Sequence, residues 1–178
     1  MKLIINIILT IVVAVSAYFL FKIINDPIRL KKVHLIKKEA IVNKLEDIRT
    51  AQFAYKTIKN KFAGNWDSLI NTIRDEKFTV IKIIGDPNEE DSIKLAQIER
   101  DTIFEPVLDS IFSADYPIDS LKYIPYAKGA IFKLESDIIN QRGVDVPVFQ
   151  VTDSEPYDPE DILILGSLEE INYSGNWK

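Results

Sequence analysis

The residues able to do chemistry in this chain are mostly carboxylates. Asp153, Glu155, Asp158, Glu160 and Asp161 crowd one short stretch, and Glu89, Glu90 and Asp91 crowd another. A hard cation such as Ca²⁺ takes several oxygen ligands from one loop, and Asp153, Glu155, Asp158 and Asp161 have that density. The stretch lacks the glycine spacing of an EF-hand loop, and Pro156 and Pro159 stiffen it, so an acidic solvated loop is the competing reading. His34 is the only imidazole, and it stands among Lys31, Lys32, Lys37 and Lys38. No Ser or carboxylate within four positions of it completes a catalytic set. The chain has no Cys, which excludes disulfides, thiol catalysis, zinc fingers and iron–sulfur clusters. It has none of the glycine-rich phosphate loops, nucleophile elbows or paired-histidine zinc motifs. The expectation is a non-enzymatic protein without a cofactor.

Tyr116, Tyr123, Tyr126, Tyr157 and Tyr173 form a loose aromatic series in the second half. Such residues either contact a partner or close a small core with a polar handle.

Charge is divided along the chain. Residues 22–61 hold 11 Lys and Arg against 4 Asp and Glu, net +7, whereas residues 62–178 hold 10 against 23, net −13. With Lys2 the whole chain is −5. Nucleic-acid binding is not expected, because the acidic half repels phosphate.

The elements that position these residues begin with 19 uncharged residues, 3–21, bracketed by Lys2 and Lys22. As a helix they rise about 28 Å, close to the ~30 Å hydrocarbon core of a bilayer. The expectation is an uncleaved transmembrane anchor over 1–25. A signal peptide cleaved near Ala17 is the alternative, and a buried helix the third reading. Arg29, Lys31, Lys32, Lys37 and Lys38 would then lie beside an anionic membrane surface and hold it electrostatically. The bland alternative is a solvated helix face. Lysine placement leaves orientation open between cytoplasm and export from the inner membrane, with a slight preference for a periplasmic domain.

Asp26-Pro27 reads as an N-cap and first helical position, so a new or kinked basic helix is expected over 26–62. Ile41, Leu45, Ile48, Ala51, Tyr55, Ile58 and Phe62 recur at helical spacing as one apolar stripe, with Arg49, Lys56 and Lys59 off it. Residues 63–65 end that helix. A short amphipathic helix follows at 66–75. Period-two patterns then predict strands at 78–84, 93–98 and 101–107, a helical turn at 107–112, a hairpin of 130–135 with 144–151, and a last strand at 162–165. Pro147 restricts its strand to an edge or a bulge. The acidic α+β domain is expected over 63–178.

The run IRTAQFAY at 48–55, followed by Phe62 and WDSL at 66–69, resembles the helix end and following loop of type IV pilins and pseudopilins of type II secretion. The resemblance spans residues 3–69. The chain has no prepilin-peptidase motif: no basic leader ending in Gly, and no Phe followed by Glu at the fifth mature position. Through 48–55, DYPIDSL at 115–121, GSL at 166–168 and GNW at 175–177, it is also similar to uncharacterised single-pass membrane-anchored proteins of Gram-negative bacteria. These resemblances imply an α+β fold in which a long N-terminal helix, transmembrane and then amphipathic, packs on a small antiparallel sheet. They imply a pseudopilin-like structural subunit of an envelope assembly, with lipid and other protein subunits as partners. The alternative is a membrane-tethered ligand- or Ca²⁺-binding domain.

Overall fold

The structure is a computed structural model that describes the backbone of residues 2–84, 99–113 and 115–177, and the side chains of 6–7, 9–21, 29, 31–79, 103–113 and 115–177. The expected strand at 93–98 and the acidic residues Glu89, Glu90 and Asp91 lie outside the described residues. The fold is α+β: helix α1 (Lys2–Lys59), α2 (Trp66–Asp75), strands β1 (Lys77–Ile84) and β2 (Glu99–Pro106), a short α3 (Val107–Ile111), a 3-10 turn (Ile118–Ser120), β3 (Lys133–Gln141), β4 (Val144–Thr152) and β5 (Ile164–Gly166). It divides into two compact units, Met1–Ile41 and Val42–Lys178.

The first unit is the N-terminal part of α1. Of the new or kinked helix expected at Asp26-Pro27, a separate helix start does not occur, and the helical backbone continues through Pro27. One proline removes a single ladder donor, and the bonds on either side hold the helix together. Thr10 returns its hydroxyl to the Asn6 carbonyl at 2.8 Å, so the helix satisfies that polar group itself. The expected membrane anchor is overturned. Among the described residues no helix is long and apolar enough to cross a membrane. The transmembrane and single-pass assignments and the inner-membrane location fall with it.

In the second unit the apolar stripe of α1 is realised. Leu45, Ile48, Ala51 and Tyr55 are buried, and Phe62 beyond the helix is too, but Ile58 is only half-buried. The helix stops at Lys59, not at Phe62. Asn60 takes the left-handed conformation (φ 57°) that commonly ends a helix, and its N–H closes on the Lys56 carbonyl at 2.8 Å. Asn65 then caps α2 by accepting from the Ser68 N–H at 2.8 Å. The helix buries Leu69, Ile70, Thr72 and Ile73, and the indole N–H of Trp66 donates to the Phe132 carbonyl at 2.9 Å.

Among the described residues there are two antiparallel sheets, β1-β2 and β3-β4-β5. The β1–β2 ladder runs from Lys77 opposite Pro106 to Ile84 opposite Glu99. The third strand begins at Lys133 rather than at 130, and its hairpin turns at Arg142 (φ 54°) and Gly143 (φ 84°). Two successive positive φ values make a type I′ turn, whose twist matches that of the strands. Pro147 sits in the central strand β4, opposite Ile138. This is tolerated because β5 pairs only with Gln150, Val151 and Thr152, so β4 is an edge at Pro147. Leu134, Phe149, Val151 and Leu165 supply the sheet's part of the core.

Candidate functional site

Four polar residues from distant parts of the chain meet at the side of α1. Lys44 and Asp47 lie about one helical turn apart and so share a face. Tyr116 and Ser120 are brought to them by the 3-10 turn and the segment before it. The Tyr116 hydroxyl donates to Asp47 Oδ2 at 2.6 Å. Lys44 Nζ donates to the Tyr116 hydroxyl at 3.2 Å and to Ser120 Oγ at 3.4 Å, and lies 5.3 Å from the Tyr116 ring centroid. Phe112 stacks on the other part of this cluster, 4.2 Å from the Tyr116 ring.

The electrostatics decide what the cluster can do. Burial pushes the Tyr116 phenol far up, and its hydrogen bond to Asp47 and that carboxylate's charge push the same way. The phenol is therefore a committed donor, not a base. Burial lowers the Lys44 ammonium, and the charge of Asp47 works against the shift. A Lys–Ser pair at 3.4 Å has the composition of a nucleophile with its base, but here the ammonium donates to two hydroxyls and faces a carboxylate. The arrangement is a satisfied charge network that fastens residues 112–120 to α1.

A second cluster is aromatic. Phe62 lies 4.6 Å from Phe149, 5.3 Å from Tyr173 and 5.8 Å from Phe53, centroid to centroid. Lys56 caps it, with Nζ 4.9 Å from the Phe62 centroid and 5.3 Å from that of Tyr173. Lys56 thus covers the aromatic core instead of standing off in water, at a gain of about 0.5–1 kcal/mol for an exposed cation–π contact. The Tyr173 hydroxyl donates to the Pro147 carbonyl at 3.0 Å. Of the tyrosine series, Tyr116 and Tyr173 are half-buried, whereas Tyr123, Tyr126 and Tyr157 are exposed.

The cation-binding alternative for the 153–161 loop finds no assembled ligand set. Among the described residues no three acidic or histidine side chains converge to hold a metal ion. Asp153 is buried, its Oδ1 accepts from the Glu155 N–H at 3.0 Å, and burial raises its carboxyl pKa. Glu155 and Asp158 are exposed and Asp161 is half-buried. Asp158 spends Oδ1 on the Glu160 N–H at 3.0 Å, a turn-forming bond. Of the basic residues, Arg29, Lys31 and Lys32 are exposed, whereas Lys37, Lys38 and His34 are partly covered and engaged in contacts.

Sequence reasoning missed Lys44, Asp47 and Ser120. The i, i+3 spacing of Lys44 and Asp47 off the apolar stripe was a signal for a shared partner, but 69 positions separate Asp47 from Tyr116, and no local pattern reports that closure. None of the protein families, curated proteins or solved structures compared with the chain matches it.

Proposed function

We propose that the protein is a non-catalytic structural subunit that assembles with further copies of itself by packing of the N-terminal part of α1, pseudopilin-like in organisation. One observation carries this reading. Within the first unit Leu9 (62%), Val13 (61%), Leu20 (63%) and Phe21 (70%) expose most of their surface, together with Ile7, Ile11, Val12, Val15 and Phe19. These residues surround the helix axis, and a helix apolar all round is stable only when covered on every side. Exposed apolar surface on this scale marks an interaction site. Identical helices offer that cover, since each presents the same requirement. The satisfied charge network at Tyr116 supports a non-enzymatic role.

Sedimentation velocity of the full chain over a concentration series tests the reading. It predicts concentration-dependent oligomers that dissociate when Leu9, Val13 and Leu20 are all replaced by Asn. A monomer at every concentration overturns it.

A further inference from the structure

The two signs of charge in this chain fall on different stretches, and the positive one offers its cations to solvent. Arg29, Lys31 and Lys32 are exposed on α1. Beside them Val33 (45%), Leu35 (62%) and Ile36 (49%) are exposed as well. Cations further along α1 are differently occupied: Lys37 and Lys38 in contacts of their own, Lys44 in the Tyr116 network, Lys56 over the aromatic cluster, Lys59 with Glu76 at 2.7 Å, and Arg49 with Glu46. Residues 62–178 carry net −13. Their exposed carboxylates include Glu155, Glu160 and Glu169.

We propose that the basic segment around Arg29, Lys31 and Lys32 docks on the acidic surface of a second copy of this chain. The proposal rests on the self-assembly reading above and adds what orients the subunits. Charge complementarity selects the occupant. A nucleic acid meets the basic segment but is repelled by the acidic majority of the same chain, whereas a second copy supplies the opposite sign to each surface at once. Each copy's basic segment meets the other's acidic surface, so the contact is reciprocal and closes as a two-fold pair. Exposed ion pairs are individually weak, and with a Debye length of ~8 Å at physiological salt their effect is on orientation and salt dependence. The aliphatic neighbours Val33, Leu35 and Ile36 add apolar contact that salt does not screen.

Two full-length charge-reversal variants test this. One carries Arg29→Glu, Lys31→Glu and Lys32→Glu; the other carries Glu155→Lys, Glu160→Lys and Glu169→Lys. Self-association is read by sedimentation at low and high salt. The expected results are wild-type association weakened about tenfold or more by high salt, failure of each variant alone, and recovery when the two are mixed in equal amounts. Recovery requires both variants to be folded, so it separates lost contact from lost structure. Salt-insensitive association unchanged in both variants overturns this proposal and leaves helix packing standing. Failure of each variant alone without recovery on mixing also overturns it. A wild-type chain that stays monomeric overturns the helix-packing reading itself.

Discussion

The side-chain amide of Gln52 makes both hydrogen bonds to the backbone of Ala63: Nε2 donates to the carbonyl at 2.9 Å, and Oε1 accepts from the N–H at 2.9 Å. Gln52 is fully buried, and Ala63 is buried also. The pair imitates a backbone ladder rung and fixes the return of the chain after Asn60 ends α1. Replacement by Leu keeps the volume but strands two buried backbone groups, each costing ~1–3 kcal/mol. We predict that Gln52→Leu lowers unfolding free energy by about 2–4 kcal/mol in urea titrations of the full chain.

Two glycines with left-handed backbones separate conformational strain from steric clash. Gly129 (φ +86°) has open space where a Cβ would stand, whereas a Cβ on Gly166 (φ +77°) would sit 2.3 Å from the Phe149 carbonyl oxygen. Gly129→Ala is expected to cost about 1 kcal/mol, the left-handed penalty alone. Gly166→Ala should cost distinctly more, because β5 must move off β4. Equal melting-temperature losses in the two variants would contradict this.

Asp153 gives a pH signature. Burial raises its carboxyl pKa in the folded state. Folding then favours the protonated form, so the group imposes no penalty below the ordinary carboxylate range and a destabilisation that grows as pH rises through the shifted value. Asp153→Asn keeps an oxygen to accept from the Glu155 N–H and removes the charge. It should stabilise the protein at pH 7 and lose that advantage at pH 3. A variant less stable than wild type at pH 7 would show that the carboxylate is favourably paired.

The hairpin turn offers a gain in stability. Arg142 occupies the first position of a type I′ turn at φ 54°, a conformation that Asn adopts more readily. Arg142→Asn should raise unfolding free energy by about 0.5–1 kcal/mol, measured by the same titration.

Much of the α+β architecture was legible locally. The period of Leu45, Ile48, Ala51 and Tyr55 marked a buried helical face, and the amphipathic pattern of 66–75 marked α2, which buries Leu69, Ile70 and Ile73. The end of α1 was not, because Ala63-Gly64 is a stronger turn signal in sequence than Asn60, and the buried Gln52 that holds Ala63 is 11 positions away. The Asp26-Pro27 pair did not mark a helix start, because a proline can also stand inside a helix, at the loss of one bond and with its ring against the carbonyl four residues back. The tyrosine series carried no indication of which members were half-buried. That is settled by Asp47 for Tyr116 and by Pro147 for Tyr173, both distant in the chain. Uncharged length at 3–21 read as an anchor, since composition reports how apolar a helix is and not what covers it.

The most direct test of the central claim uses the absence of native cysteine. The full chain carrying Val13→Cys is oxidised under mild conditions and compared with the full chain carrying Lys128→Cys, placed on an exposed turn of the other unit. Packing of identical N-terminal helices predicts rapid disulfide-linked dimers for Val13→Cys, abolished when Leu9 and Leu20 are also replaced by Asn, and slow random linking for Lys128→Cys. Equal rates at the two positions, unchanged by the Asn replacements, would contradict it.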